Sequence, residues 1–142
     1  LGEELVAALD QLRTSARPHN TVVCHGSPPS DVRSFLPAPA PDEPELLDGV
    51  TAPRVLFGHT HLPFLRASEV RGIELVNPGS VGMPFDGDHR AAYALIHDDR
   101  RVEHRRVAYD HAAAARRVRE AHDGAPWTDV VARRIELARM DA

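Results

Sequence analysis

Three histidines stand where apolar residues give way to loop: His25 after Thr21-Val-Val-Cys24, and His59 and His61 in Gly58-His-Thr-His61, after Arg54-Val-Leu-Phe57. One residue separates the last two, so in an extended backbone both imidazoles point to the same side. That spacing suits one metal centre, and neutral imidazole is a common ligand for zinc, iron and nickel. Gly58 lets the chain bend or lets another group approach closely, while the apolar run before it supplies a rigid strand from which to aim the rings. The chain has nine histidines. The other six, His19, His89, His97, His104, His111 and His122, are read as surface or hydrogen-bonded residues.

The elements that must position these rings follow from periodicity. Leu5, Leu9 and Leu12 recur at helical spacing within residues 1–17, which predicts a helix over 3–16 that Pro18 ends. Thr21–Cys24 reads as a buried strand. Seven of the 12 prolines fall between Pro28 and Pro53, so 27–53 is expected to be a long surface loop with one helical turn near Glu45–Leu47. Residues 54–109 hold closely spaced strand signals at 54–57, 73–76, 92–96 and 102–107, which suggests antiparallel pairing. Residues 110–142 form a helical tail. Asp110 is the expected N-cap of a helix through Ala121 that Gly124 closes, and a second helix follows Pro126 with Val131, Ile135 and Ala138 on one side. The fold class is α+β or α/β, with mostly antiparallel strands and two C-terminal helices.

A formal charge of −4 leaves no basic surplus for a nucleic-acid backbone or an anionic membrane. No stretch approaches the roughly 20 apolar residues that cross a bilayer. The single cysteine, Cys24, cannot form an internal disulfide, which fits a reducing compartment, and it reads as a small buried hydrophobe; a cytoplasmic setting is the default expectation. Asn77-Pro-Gly-Ser80 has Pro and Gly where a type II turn needs them, with Asn77 the candidate substrate contact. Asp86-Gly-Asp88 reads as a loop turn, with attraction of a cation the lesser reading. Arg116, Arg117 and Arg119 are taken for the solvated face of their helix, and Trp127 for a core or interface anchor.

His25-Gly-Ser-Pro28, Leu56-Phe-Gly-His-Thr-His61 and Val76-Asn-Pro-Gly-Ser-Val-Gly82, closed by Pro84-x-Asp-Gly-Asp88 and Ala91-Ala-Tyr93, resemble the second half of the calcineurin-like metallophosphoesterases. Among these the set is most similar to the bacterial phosphodiesterase branch, and the resemblance runs from Thr21 to Tyr109. It implies a four-layer α/β/β/α sandwich and two divalent metal ions, manganese, iron, zinc or nickel, with manganese favoured. His25 and His59 match ligands of the second metal and His61 a ligand of the first. The implied reaction is hydrolysis of a phosphodiester or phosphomonoester by a hydroxide held between the cations. Substrate choice in the family rests on loops, and here 27–53 would border the entrance.

The family's Asp-x-His, bridging Gly-Asp and Gly-Asn-His motifs have no counterpart in these 142 residues. Gly87-Asp88 follows the histidine motifs instead of preceding them and is not assigned as the bridge. Three imidazoles do not compensate two divalent ions, and no residue is identified as the acid that protonates the leaving group. Residues 1–142, beginning at Leu1, are therefore expected to be one partial domain, the C-terminal half of a metallophosphoesterase, inactive alone. Its partners would be the missing N-terminal half and a phosphate-ester substrate. Two alternatives stay open: a non-catalytic module that binds a metal or a partner, and a single-metal enzyme with His25, His59 and His61 around one ion and water in the open position.

Overall fold

A computed structural model describes residues 2–121 and 124–141; His122 lies outside the described residues. Helix α1 (Glu3–Asp10) is followed by β1 (Ser15–Ala16), β2 (Thr21–Cys24), the short helix α2 (Glu43–Leu46), β3 (Arg54–Leu56), β4 (Phe64–Ala67) and β5 (Glu74–Asn77). A hairpin of β6 (Ala91–Ile96) and β7 (Val102–Val107) leads to α3 (His111–Glu120) and α4 (Pro126–Leu137). The helix expected over 3–16 stops at Asp10, and Ser15–Ala16 pair with Val23 and Cys24 instead. Short helices depend on packing of their apolar face, and Leu5, Leu9 and Leu12 are all exposed.

One sheet has the order β1-β2-β3-β5-β4, and β6-β7 form a second. Three of the five pairings are antiparallel, as the close strand spacing suggested, but β2–β3 and β3–β5, at the centre of the larger sheet, are parallel. The direction of β5 relative to β3 follows from β4, which sequence periodicity did not reveal. It runs antiparallel beside β5 on the outer edge, so β5 emerges in the same direction as β3. Val23, Leu56 and Val76 lie side by side across the three parallel strands, which brings their C-terminal ends to one edge.

Val22, Val55, Phe57, Ile73 and Leu75 face a common core with Phe35, Leu46, Leu47 and Val50 from the Pro-rich segment. The segment is thus a packed layer and not only a surface loop: Phe35, Leu46 and Leu47 are each at most 1% exposed, and burying such a side chain stabilises by roughly 1.5–3 kcal/mol. The buried Glu43 pins it to β4, pairing with Arg66 and accepting from Ser68 Oγ at 2.7 Å.

A second cluster joins Ala115, Ala132 and Ile135 of the helical pair to Met83. Asp110 caps α3 by accepting from the Ala113 amide at 2.8 Å, as expected. One expectation for the tail fails, and the core-or-interface reading of Trp127 loses its first half. Arg119 does not sit on a solvated face but reaches across to Asp129 and Glu136 of α4, because its position on α3 faces two carboxylates. Trp127 is 51% exposed and lies outside the core. No helix among the described residues is long and apolar enough to cross a membrane.

Candidate metal centre

Parallel pairing explains why the motifs meet. His25 follows β2, Gly58-His-Thr-His61 follows β3, and Asn77 ends β5. The Gly58 amide donates to the His25 carbonyl at 2.8 Å and the Phe57 amide to the Val76 carbonyl at 3.1 Å, which continues the ladder past the strand ends. This is the carboxyl edge of the parallel strands, where open α/β sheets place their ligands.

His25 and His59 are in contact. His59 Nδ1 lies 3.2 Å from His25 Nε2, and the rings meet edge to face with centroids 5.1 Å apart. His61 Nδ1 lies 2.7 Å from the Met83 carbonyl. A carbonyl only accepts, so Nδ1 carries the hydrogen, and in the neutral ring Nε2 is the nitrogen able to ligate. The His61 ring also stacks on Phe85, centroids 4.7 Å apart and 15° from parallel. Neither histidine of the pair sits in extended backbone: φ is 62° at His59 and 58° at His61. The two rings are therefore aimed by a left-handed loop and not by strand alternation.

The close approach expected at Gly58 occurs at Gly26. A Cβ at Gly58 would meet only the His25 carbonyl, at 3.8 Å, whereas one at Gly26 would lie 2.8–2.9 Å from the carbonyl oxygens of Ser30, Asp31 and Arg33. Only glycine lets that loop fold over the residue next to His25. Asn77 is fully buried; its amide donates to the Gly58 carbonyl and Thr60 Oγ1, at 2.8 and 2.9 Å. Asp86 and Asp88 form ion pairs with Arg90 and Arg106, which fits the loop-turn reading. Cys24 is half-buried, and burial, reinforced by the charge of Asp31, pushes its thiol up to about 11. An open cleft of about 600 Å³ runs from α1 and β1 past Val23 and Cys24 to His25.

The donor chemistry fits a cation at the His25–His59 pair. Two bonds of about 2.05 Å from one ion at a tetrahedral angle set their nitrogens about 3.3 Å apart, close to the observed 3.2 Å. Among the described residues, however, no group of three or more His, Cys, Asp or Glu side chains is gathered closely enough to hold a metal ion. His61 does not join the pair in one cluster, and no carboxylate stands beside them. Thr60, Met83 and Phe85, which contact the histidines or their loop, were not read from the sequence. Two of the contacts run through a backbone carbonyl or a ring face and have no signature in residue type; only the position of Thr60 inside His-x-His could have singled it out.

Residues 3–101 match the calcineurin-like phosphoesterase superfamily domain. The chain belongs to that superfamily. A metallophosphoesterase from Sphaerobacter thermophilus has a similar structure, with a TM-score of 0.80 and 26% identity over 97% of this chain and 62% of its own. Hypothetical protein PH1004 from Pyrococcus horikoshii OT3 shares the fold, with a TM-score of 0.69 and 19% identity over 91% of this chain and 53% of its own. The uncharacterized protein MJ0912 from Methanocaldococcus jannaschii is 34% identical over an alignment of 70 residues that covers 39% of this chain and 29% of that protein. The chain spans less than two thirds of the length of each. The mixed sheet with two C-terminal helices is a metallophosphoesterase fold, as the motifs implied.

Proposed function

We propose that the chain carries the histidine ligands of a metal-dependent phosphoesterase, His25 and His59 sharing one divalent ion and His61 serving another. The observation that carries this is the His25 Nε2–His59 Nδ1 separation of 3.2 Å across a sheet edge, in a chain whose superfamily is defined by phosphoester chemistry. Divalent cations bound there supply positive charge against the phosphoryl oxygens and acidify water. The chain's own contribution is to hold imidazoles: His25 and His59 against each other, and His61 in the tautomer that the Met83 carbonyl requires. Manganese is the favoured metal, with iron, zinc and nickel also suited, and the substrate is a phosphodiester or phosphomonoester of the cytoplasm.

Three imidazoles with no bridging carboxylate and no assigned proton donor are half of a two-metal site. The remaining ligands and the acid are proposed to come from a part of the domain outside these 142 residues, and the chain by itself to hydrolyse phosphoesters at background. Residues 2–20 are exposed throughout, and Leu5, Val6, Leu9 and Leu12 are 48–67% exposed beside the cleft that reaches His25. A complementing segment seated there would cover this apolar face.

Hydrolysis of bis(p-nitrophenyl) phosphate with added Mn²⁺ tests the proposal. We expect background rates from the 142-residue chain, metal-dependent turnover from a protein containing the whole domain, and loss of that turnover in His59→Ala. Absence of metal-dependent turnover in the whole-domain protein would overturn it. The lack of a three-donor cluster among the described residues favours a second reading, a non-catalytic metal- or partner-binding module, and a whole-domain protein that binds Mn²⁺ without hydrolysing phosphoesters would establish it.

A further inference from the structure

His59 and His61 both hold left-handed backbones, which non-glycine residues adopt at a cost and keep only where the surroundings over-determine them. One side chain bonds the loop on both sides of His59. Asn77, at the end of β5 and 0% exposed, donates from Nδ2 to the Gly58 carbonyl at 2.8 Å and to Thr60 Oγ1 at 2.9 Å. Gly58 precedes His59 and Thr60 precedes His61, so each donor hydrogen of the amide holds the residue before a histidine. Asn77 is itself anchored. Its Oδ1 accepts from the Gly79 amide at 2.9 Å, and its backbone carbonyl accepts from His104 Nε2 at 2.8 Å. Position 79 admits only glycine: its φ is 85°, and a Cβ there would lie 2.7 Å from Ala92 Cβ and 3.1 Å from Pro63 Cβ.

We propose that Asn77 is a positioning residue, whose two N–H groups clamp the Gly58–His61 loop so that His59 stays against His25 and His61 stays on the Met83 carbonyl. Its amide is buried and fully used, so it reaches substrate only through the histidines it aims, and not by the direct contact expected of it. Aspartate, with no N–H to donate, cannot take its place. The functional consequence rests on His59 and His61 being metal ligands; the control of their geometry does not.

The experiment therefore reads geometry and metal separately. In the ¹⁵N-histidine-labelled chain at a pH of about 8, above the ordinary histidine range, long-range ¹H–¹⁵N spectra should show His61 as the single Nδ1–H tautomer. Asn77→Ala should give mixed His61 tautomers and shifted His25 and His59 signals. Thr60→Val, which keeps the side-chain size and removes the hydroxyl, should shift the same signals, and Thr60→Ser should restore them. Zn²⁺ affinity by calorimetry should fall by roughly 10–100-fold in Asn77→Ala, the usual loss when a partner of a metal ligand is removed. Should Asn77→Ala fail to fold, the Thr60 pair decides. Unchanged histidine spectra and Zn²⁺ affinity in folded Asn77→Ala or in Thr60→Val would overturn the proposal. Altered spectra in a chain whose parent binds no Zn²⁺ would support the positioning role, and absence of Zn²⁺ binding in a protein containing the whole domain as well would overturn the ligand reading.

Discussion

His25 Nε2 and His59 Nδ1, 34 residues apart in the chain, lie 3.2 Å from each other because β2 and β3 run parallel and in register. Had β3 run the other way, three residues of strand at about 3.3 Å each would have put His59 at the opposite end, roughly 10 Å away. A shared ion, as proposed, would make the two rings thermodynamically dependent. His25→Ala and His59→Ala should each weaken Zn²⁺ binding by at least ~10-fold, and the double variant should lose little more than either single one, as expected for groups that act as a unit. Calorimetric titration measures this, and fully additive losses would show that the rings do not share an ion.

Gly26 follows His25 directly in the chain. A Cβ there would meet three carbonyl oxygens at 2.8–2.9 Å, and backbone cannot swing aside as a side-chain tip can. Gly26→Ala should destabilise the fold by about 2 kcal/mol, in the range of overpacked interiors, and should shift the His25 resonances. Urea unfolding with unchanged stability would show that the loop has room.

The Pro-rich layer is held by a buried charge pair. Burial raises the Glu43 carboxyl, but the hydrogen bonds from Arg66 and Ser68 and the Arg66 charge outweigh it, so the net shift is downward. A carboxyl depressed in the folded state contributes stability above its unfolded value, about 4.3, and that contribution disappears as pH falls through the folded value. Glu43→Ala should cost about 3 kcal/mol near neutral pH, leaving Arg66 without its carboxylate, and the difference from the parent should shrink as the pH is lowered below about 4. A pH-independent difference in urea unfolding would contradict this.

How much of this was readable beforehand can be judged at particular residues. The points where His25, His59, His61 and Asn77 leave their strands were legible, since a β-branched or apolar run ending in Gly, Pro or Ser marks a strand end. The Asp110 cap and both C-terminal helices were legible for the same local reasons. The direction of β5 relative to β3 was not: it depends on β4, Phe64–Ala67, where Arg66 interrupts the apolar run. The left-handed loop at His59 and His61 was missed because His-x-His spacing is the same in a strand or a turn, and the Asn77 amide that bonds Gly58 and Thr60 comes 16 residues after His61. Glu43 fell within the expected surface loop 27–53 because its partner Arg66 lies on another element.

Cys24 should be a poor nucleophile despite its place in the cleft. With the thiol raised to about 11 by burial and then by Asp31, its thiolate fraction near pH 7.5 is about 100-fold or more below that of an ordinary cysteine with a value near 8.5. Labelling by iodoacetamide should be correspondingly slow in the folded chain and rise about tenfold per pH unit up to about 11. Rapid stoichiometric labelling at pH 7.5 would mean that the thiol is neither shielded nor raised.

Anomalous diffraction from crystals of the chain soaked in Zn²⁺ tests the metal assignment most directly. It should show an ion about 2.0–2.1 Å from both His25 Nε2 and His59 Nδ1, with the two nitrogens still close to their present 3.2 Å separation and His61 Nδ1 still on the Met83 carbonyl. Zinc bound elsewhere, with the His25–His59 pair left in direct hydrogen-bonded contact, would contradict it.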